Sequence, residues 1–177
     1  SGTGDFETAE RIKVLMNELG LKESDRDVIA PALEKAEKEK CHVMSLKLPN
    51  GKIITGKQTT LLNPASSLMI NAMKELTHIP DDVDLLSPSI LEPILKLKPM
   101  NAHIDALNLQ EVIIALSICS VTNPIIGKAF KNLKKLNGCE AHASYIVTNG
   151  DKKALRNLNI NLTMEPVFYT NDLYQND

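Results

Sequence analysis

Lys57, Thr59, Thr60, Ser66 and Ser67 bracket the point where a polar loop runs into a helix opened by Asn63 and Pro64. One ammonium, several hydroxyls and the unpaired amides of a first helical turn are what a phosphate, carboxylate or ribose contact needs. The helix dipole contributes about 0.3–1 kcal/mol to such a contact when exposed. The same chemistry recurs at Ser117, Ser120, Thr122 and Asn123, ahead of a second helix opened by Pro124. Two such helix starts facing one hollow would bind a phosphorylated or nucleotide-like small molecule. Lys57 would be the counter-charge, and Thr59, Thr60, Ser66, Ser67, Ser120, Thr122 and Asn123 the hydrogen-bonding groups. Against this stands the ordinary preference of Ser and Thr for helix starts.

Other signatures are weaker. Gly51, Gly56 and Lys57 have the spacing of a phosphate loop, but Gln58 stands where magnesium needs a hydroxyl. The β-branched Ile53 and Ile54 fill the intervening positions and favour a strand. His42, His78, His103 and His142 are scattered, with no zinc-binding spacing among them or the cysteines. No metal site is expected. Glu140 and His142 lie two apart on an expected strand and so face one side, which makes His142 the one reasonable proton carrier if that side opens to a cleft. A complete catalytic signature is absent, so neither a reaction nor a cofactor follows.

With 177 residues, 43% of them hydrophobic and 24% charged, the chain can bury a core. Its formal charge of -2 gives no bulk attraction to nucleic acid or acidic lipid. The basic run Lys128, Lys131, Lys134 and Lys135 fits a solvated helix face. Aromatic residues are only 3%, too few for a stacking platform on single strands. Cys41, Cys119 and Cys139 are widely spaced in apolar runs, the pattern of reduced thiols in a cytoplasmic protein rather than a disulfide framework. No stretch approaches the roughly 20 apolar residues of a membrane span, and no signal peptide is visible.

The elements that would hold these groups begin with two helices. Phe6, Ala9, Ile12, Leu15, Met16 and Leu19 recur at helical spacing before Gly20. Ser24 then caps a second run with Val28, Ile29, Leu33 and Ala36 on its apolar side and Pro31 marking an early turn or a kink. Residues 1–40 are therefore expected as a helical hairpin and 41–177 as an α/β domain. Cys41 to Leu48 and Lys52 to Gly56 form a hairpin around Pro49, Asn50 and Gly51. The helix after Asn63 buries Leu68, Met69, Ala72, Met73 and Leu76. Residues from about 77 to 107 hold four prolines and predict a proline-interrupted helical insertion. Leu109 to Cys119 predicts a buried helix capped by Asn108, with a strand as the alternative, and Pro124 to Leu136 another helix. A strand from Ala141 to Thr148, a turn at Asn149 and Gly150, a helix from Asp151 to about Asn157 and a strand near Ile160 to Met164 would add two parallel strands. The opening SGTG has the look of an expression remnant, and the tail with Phe168 and Tyr169 could dock on a neighbouring domain.

The stretches DRDVIAPALEKAE, LPNGKIITGKQTTLLNPASSLMINAMKEL, DLLSPSILEPILKLK, EVIIALSICSVTNP and GCEAHASYIVTNGD resemble the C-terminal region of the bacterial DUF1846 family, also called UPF0371, from about Thr8 to Pro166. That resemblance implies a longer protein whose upstream domain carries its own glycine-rich, phosphate-loop-like segment. It also implies a three-layer α/β sandwich with a mixed sheet, similar to the cytidine deaminase fold. The deaminase zinc pattern is missing: Pro64, Ala65, Ser66 and Thr122, Asn123, Pro124 offer neither thiolate nor imidazole. The expectation is a domain that contributes to a phosphate- or nucleotide-like small-molecule site completed by the upstream domain, in a homo-oligomer. The alternative is a non-catalytic packing or oligomerisation module.

Overall fold

Pro49, Asn50 and Gly51 reverse the chain between two apolar, β-branched stretches, and a hairpin follows. Strands β1 (Val43–Lys47) and β2 (Ile53–Lys57) pair antiparallel, with Lys47 opposite Ile53 and Val43 opposite Lys57. The Leu48 amide bonds the Lys52 carbonyl at 2.8 Å, and Gly51 takes φ +84°. Glycine occupies that left-handed position without steric cost. The computed structural model describes residues 26–98 and 106–168, together with 10, 11, 14, 15 and 18.

Helix α1 (Ile29–Glu39) precedes the hairpin, with Val28 at its N-cap and no side-chain cap. Pro31 falls in the first turn, where its missing N–H leaves no intrahelical bond broken, so it neither kinks nor ends the helix. Val28 and Ala32 are buried while Leu33 is 37% exposed, a narrower apolar side than the spacing predicts. Residues 10, 11, 14, 15 and 18 are helical, with Val14 and Leu15 more than half exposed. The expected stop at Gly20 and cap at Ser24 lie outside the described residues.

Helix α2 (Pro64–Thr77) starts as its cap chemistry dictates: the Asn63 side chain accepts from the Ser66 amide at 2.9 Å. Leu68, Met69, Ala72 and Met73 are fully buried, and Leu76 packs against the same core from a half-buried position. This helix crosses β2 so closely that a Cβ on Gly56 would lie 2.1 Å from the Leu68 nitrogen. Gly56 thus serves helix-on-strand packing, and the Gly51, Gly56, Lys57 spacing belongs to a hairpin.

Helix α3 (Pro88–Lys96) carries Pro93 inside it, within the expected proline-interrupted stretch. Helix α4 (Leu109–Cys119) is opened by a reciprocal capping box between Asn108 and Glu111, which excludes the strand alternative. It buries Leu109, Val112, Ala115 and Leu116 but leaves Ile114 60% and Ile118 67% exposed, so it is half-buried rather than buried. Helix α5 (Pro124–Lys131) gives way to a 3-10 segment, Asn132–Leu136, where one continuous helix was expected.

Strand β3 (Glu140–Ala143) is shorter than its apolar run predicts. Thr148 caps helix α6 (Asn149–Asn157), which places Asn149 and Gly150 in the first helical turn instead of a separate turn. Strand β4 (Asn161–Met164) closes a mixed four-stranded sheet ordered β2-β1-β3-β4. The β3–α6–β4 unit is parallel, and β1 runs against both of its neighbours. Met44, Leu46, Ala141 and Ala143 share the core with α2. On the other face Thr55, Ser45, His142 and Thr163 stand in one cross-strand row. Helix α1 lies over that row: the Ser45 hydroxyl donates to the Val28 carbonyl, and Lys35 Nζ bonds Thr55 Oγ1 at 2.7 Å.

Candidate functional site

Three helix starts converge, only one of them from the pair expected, and the anion they gather is the protein's own. Asp151 is fully buried. Its Oδ1 accepts the Leu109 amide at 2.8 Å, and its Oδ2 accepts Asn63 Nδ2 and Thr148 Oγ1, each at 2.8 Å. Asn63 caps α2, Leu109 begins α4 and Thr148 caps α6, so one carboxylate ties three helix starts together. Burial pushes this carboxyl above its ordinary range, against the hydrogen bonds from Leu109, Thr148 and Asn63.

The side chains singled out in the sequence are largely used within the fold. The buried Ser66 hydroxyl donates to the Leu107 carbonyl at 2.9 Å, while Ser67 Oγ is enclosed without a hydrogen-bond partner. Thr59 Oγ1 accepts the Leu62 amide at 2.9 Å and closes its own loop; Thr60 is exposed. Lys57 Nζ pairs with Glu39 at 2.6 Å, a contact that raises the lysine and lowers the carboxyl from their usual ranges. Around the second helix start, Ser120 donates to the Ser117 carbonyl at 2.7 Å and Thr122 reaches the Cys119 carbonyl at 3.5 Å. Asn123 accepts from the amides of Ile125 and Ile126 at 3.0 and 3.3 Å. The start of α2 therefore meets the starts of α4 and α6, and the exposed start of α5 stands apart from that junction.

His142 is 3% exposed. Its Nδ1 lies 2.9 Å from Thr163 Oγ1 and its Nε2 3.1 Å from Glu165 Oε1. Burial lowers the imidazole from its ordinary value, opposed by the neighbouring Glu165 carboxylate. The expected partner, Glu140, instead lies 3.4 Å from Arg26. In this pair the solvent-facing member is Glu165, with the imidazole behind it.

Because β1 is antiparallel to both neighbours, β2, β3 and β4 all run one way and end at one edge of the sheet. Open α/β sheets hold ligands outside the carboxyl ends of such strands. A cleft of about 670 Å³ lies there. Gln58, Ser144 and Glu165, each just past a strand end, line it together with Cys41 and His42 at the start of β1. Leu33 and Ala36 of α1 form an apolar wall on one side, Val167 and Phe168 on another. Gln58 Oε1 is enclosed without a hydrogen-bond partner, and the His42 ring stands 5.0 Å from that of Tyr145. Ser144 and Glu165 belong to no sequence motif, and Gln58 stands out only as the residue that breaks the phosphate-loop spacing. Strand direction is the signal that finds them. Among the described residues no group of three or more His, Cys, Asp or Glu gathers to hold a metal, and no helix is long and apolar enough to cross a membrane. Cys41, Cys119 and Cys139 are free thiols.

Comparison with known proteins adds the wider context. A UPF0371 protein of Clostridium botulinum, strain Eklund 17B, is 44% identical over 99% of this chain. UPF0371 proteins of Clostridium tetani and of Clostridium botulinum strain Alaska E43 are 40% and 42% identical over 98% and 99% of it. The chain spans only 36–37% of the length of these relatives. Residues 24–174 match the model described as domain of unknown function DUF1846, C-terminal, and the chain belongs to that family, the UPF0371 proteins.

Proposed function

We propose that this domain contributes to a small-molecule site at the carboxyl edge of its sheet, taking a phosphorylated or nucleotide-like ligand. The observation that carries the reading is the convergence of three co-directional strand ends on one cleft with apolar walls and a few polar groups, the usual composition of a ligand pocket. Leu33, Ala36 and Phe168 offer flat apolar contact, and Gln58 Oε1 offers an unused acceptor. Lys40 supplies counter-charge in the lining, and Lys57, one residue before Gln58, adds to it by exchanging Glu39 for a ligand anion. Glu165 faces the cleft, and His142 holds its carboxylate in place. The rest of the longer polypeptide completes the site, in keeping with the short share of the relatives' length that this chain covers.

Helices on both sides of a sheet whose second-position strand opposes the other three support a three-layer arrangement like the cytidine deaminase fold. Free thiols accord with a cytoplasmic bacterial protein. A thermal-shift screen of nucleotides and sugar phosphates tests the site, on this chain and on a protein of the relatives' full length. Stabilisation is expected, diminished by Gln58→Ala and Glu165→Gln; a full-length protein that responds to none of the set, or responds equally in both variants, ends the reading.

A second reading, a packing or oligomerisation module, draws on Ile114, Ile118, Val121 and Ile125, which are all more than half exposed across α4 and the start of α5. Light scattering on the chain and its Ile118→Lys variant tests it: self-association lost in the variant supports the module, and a monomer in both argues against self-assembly through this face.

A further inference from the structure

Outside the carboxyl-edge cleft, the molecule has a second hollow of about 380 Å³ along the far side of β4. Among the described residues three cations line it, Arg26 ahead of α1 and Lys152 and Arg156 on α6, and no carboxylate does. Lys152 and Arg156 are four residues apart on one helix, a like-charge arrangement that disfavours the helix when nothing lies between them. Neither makes a salt bridge among the described residues. Arg26 is held in place from behind, 3.4 Å from Glu140 and 3.4 Å from the Asn161 carbonyl, while its Nε is enclosed without a hydrogen-bond partner.

The backbone of β4 adds donors to these charges. Asn161 and Glu165 give their amides to the carbonyls of Cys139 and Ala143 on the β3 side. Backbone groups alternate along a strand, so the amides of Leu162 and Met164 point away from β3, toward the outer edge. Both residues line the hollow. A sheet edge carrying free N–H groups beside fixed cations forms a concavity suited to anions. A second copy of the chain set edge to edge would bring like charges together, which disfavours it as the occupant.

We infer that the hollow between β4 and α6 is an anion site for a phosphate-bearing small molecule, held by Lys152 and Arg156, steadied by Arg26 and completed by the outward amides of β4. Lys152 sits near the start of α6 and Arg156 one turn later, so a diphosphate could bridge both. This site is separate from the carboxyl-edge cleft and does not depend on it.

Calorimetric titration with pyrophosphate and with inorganic phosphate tests the inference, at constant ionic strength and against a chloride control. Saturable binding is expected, tighter for pyrophosphate. Arg156→Glu and Lys152→Glu should each weaken it roughly tenfold or more, the value of a lost charge-assisted contact. Both side chains lie on the outer part of α6, and circular dichroism verifies that the variants are folded. Lys128→Glu, a charge reversal on α5 outside both hollows, should leave the affinity unchanged. Absence of saturable binding overturns the inference, as does binding that survives both charge reversals. Binding abolished by Lys40→Glu and kept in Arg156→Glu assigns the anion to the carboxyl-edge cleft and overturns it as well.

Discussion

The side-chain amide of Asn63 donates to the carboxylate of Asp151 across 2.8 Å of buried space, joining the cap of α2 to the first turn of α6. Asn63 cannot be replaced by another helix cap at that position without losing the bridge. Serine, threonine and aspartate all cap, but none carries an amide donor of that reach.

Asp151→Ala leaves the Leu109 amide, Asn63 Nδ2 and Thr148 Oγ1 without their common acceptor. Each buried group stranded in this way costs about 1–3 kcal/mol, and partial relaxation keeps the total below the sum. The expected loss is about 3 kcal/mol in urea unfolding. Asp151→Asn should cost less, since it retains one acceptor but turns a donor toward a donor. Equal stability of wild type and Asp151→Ala would contradict the tie between the three helix starts.

Gly56→Ala should destabilise the chain by about 3 kcal/mol or more, at the upper end of overpacking effects. The new Cβ would run into the backbone of α2, 2.1 Å from the Leu68 nitrogen and 2.6 Å from the Pro64 carbonyl oxygen, and backbone cannot rotate away. Gly51→Ala, in open space but at φ +84°, is expected to cost less. Thermal midpoints of the two variants give the comparison.

Stability should fall with acid through the window governed by His142. Burial holds this imidazole neutral in the fold to a pH below 6.5, the value at which an unfolded chain takes up the proton. The unfolded state therefore binds more protons just below that value, and ΔG of unfolding drops as pH falls toward the folded-state value. Above 6.5 the contribution is complete. Denaturant midpoints from about pH 7 down to about pH 5 measure the slope, and His142→Asn should flatten it. A variant with the same acid slope as wild type would assign the effect to another group.

Ile118→Ser should change folding stability by less than about 0.5 kcal/mol, as expected for a surface position. Ile118 is 67% exposed on α4 and gives up little burial on truncation. Leu116→Ser, two residues away and fully buried, should cost several times more. Chemical denaturation of the pair checks that the outward face of α4 plays no part in the core.

Much of the architecture was legible because it rests on local chemistry. Pro49, Asn50 and Gly51 specify their turn whatever surrounds them, and Asn63 with Pro64 or Asn108 with Glu111 specify a helix start. What failed were inferences from apolarity alone. The run Leu109–Cys119 is apolar all round, yet only one side of α4 meets the core. Thr148 was hidden as a cap because Asn149 and Gly150 form a stronger turn signal than the threonine before them.

The site followed the same division. The sequence pairs the helix starts at Asn63 and Asn123, but it does not say which starts meet, and Asn63 instead joins Leu109 and Thr148 on a side-chain carboxylate. Asp151 is 88 positions from Asn63 and 42 from Leu109. Glu165 became visible only once β4 was aligned with β3, since its distance from His142 is set by the register between those strands.

The central position of β1 has a consequence for how the polypeptide is made. Its partner β2 follows within a few residues, but its other partner, β3, contacts it across the length of the domain, as in the bond between Val43 and Ser144, 101 positions apart. Until ribosomal synthesis passes Ala143, the strand bearing Met44 and Leu46 has one bare hydrogen-bonding margin and an apolar flank, a template for aggregation. Premature termination between Lys57 and Glu140 would therefore release a sticky fragment rather than a smaller stable one.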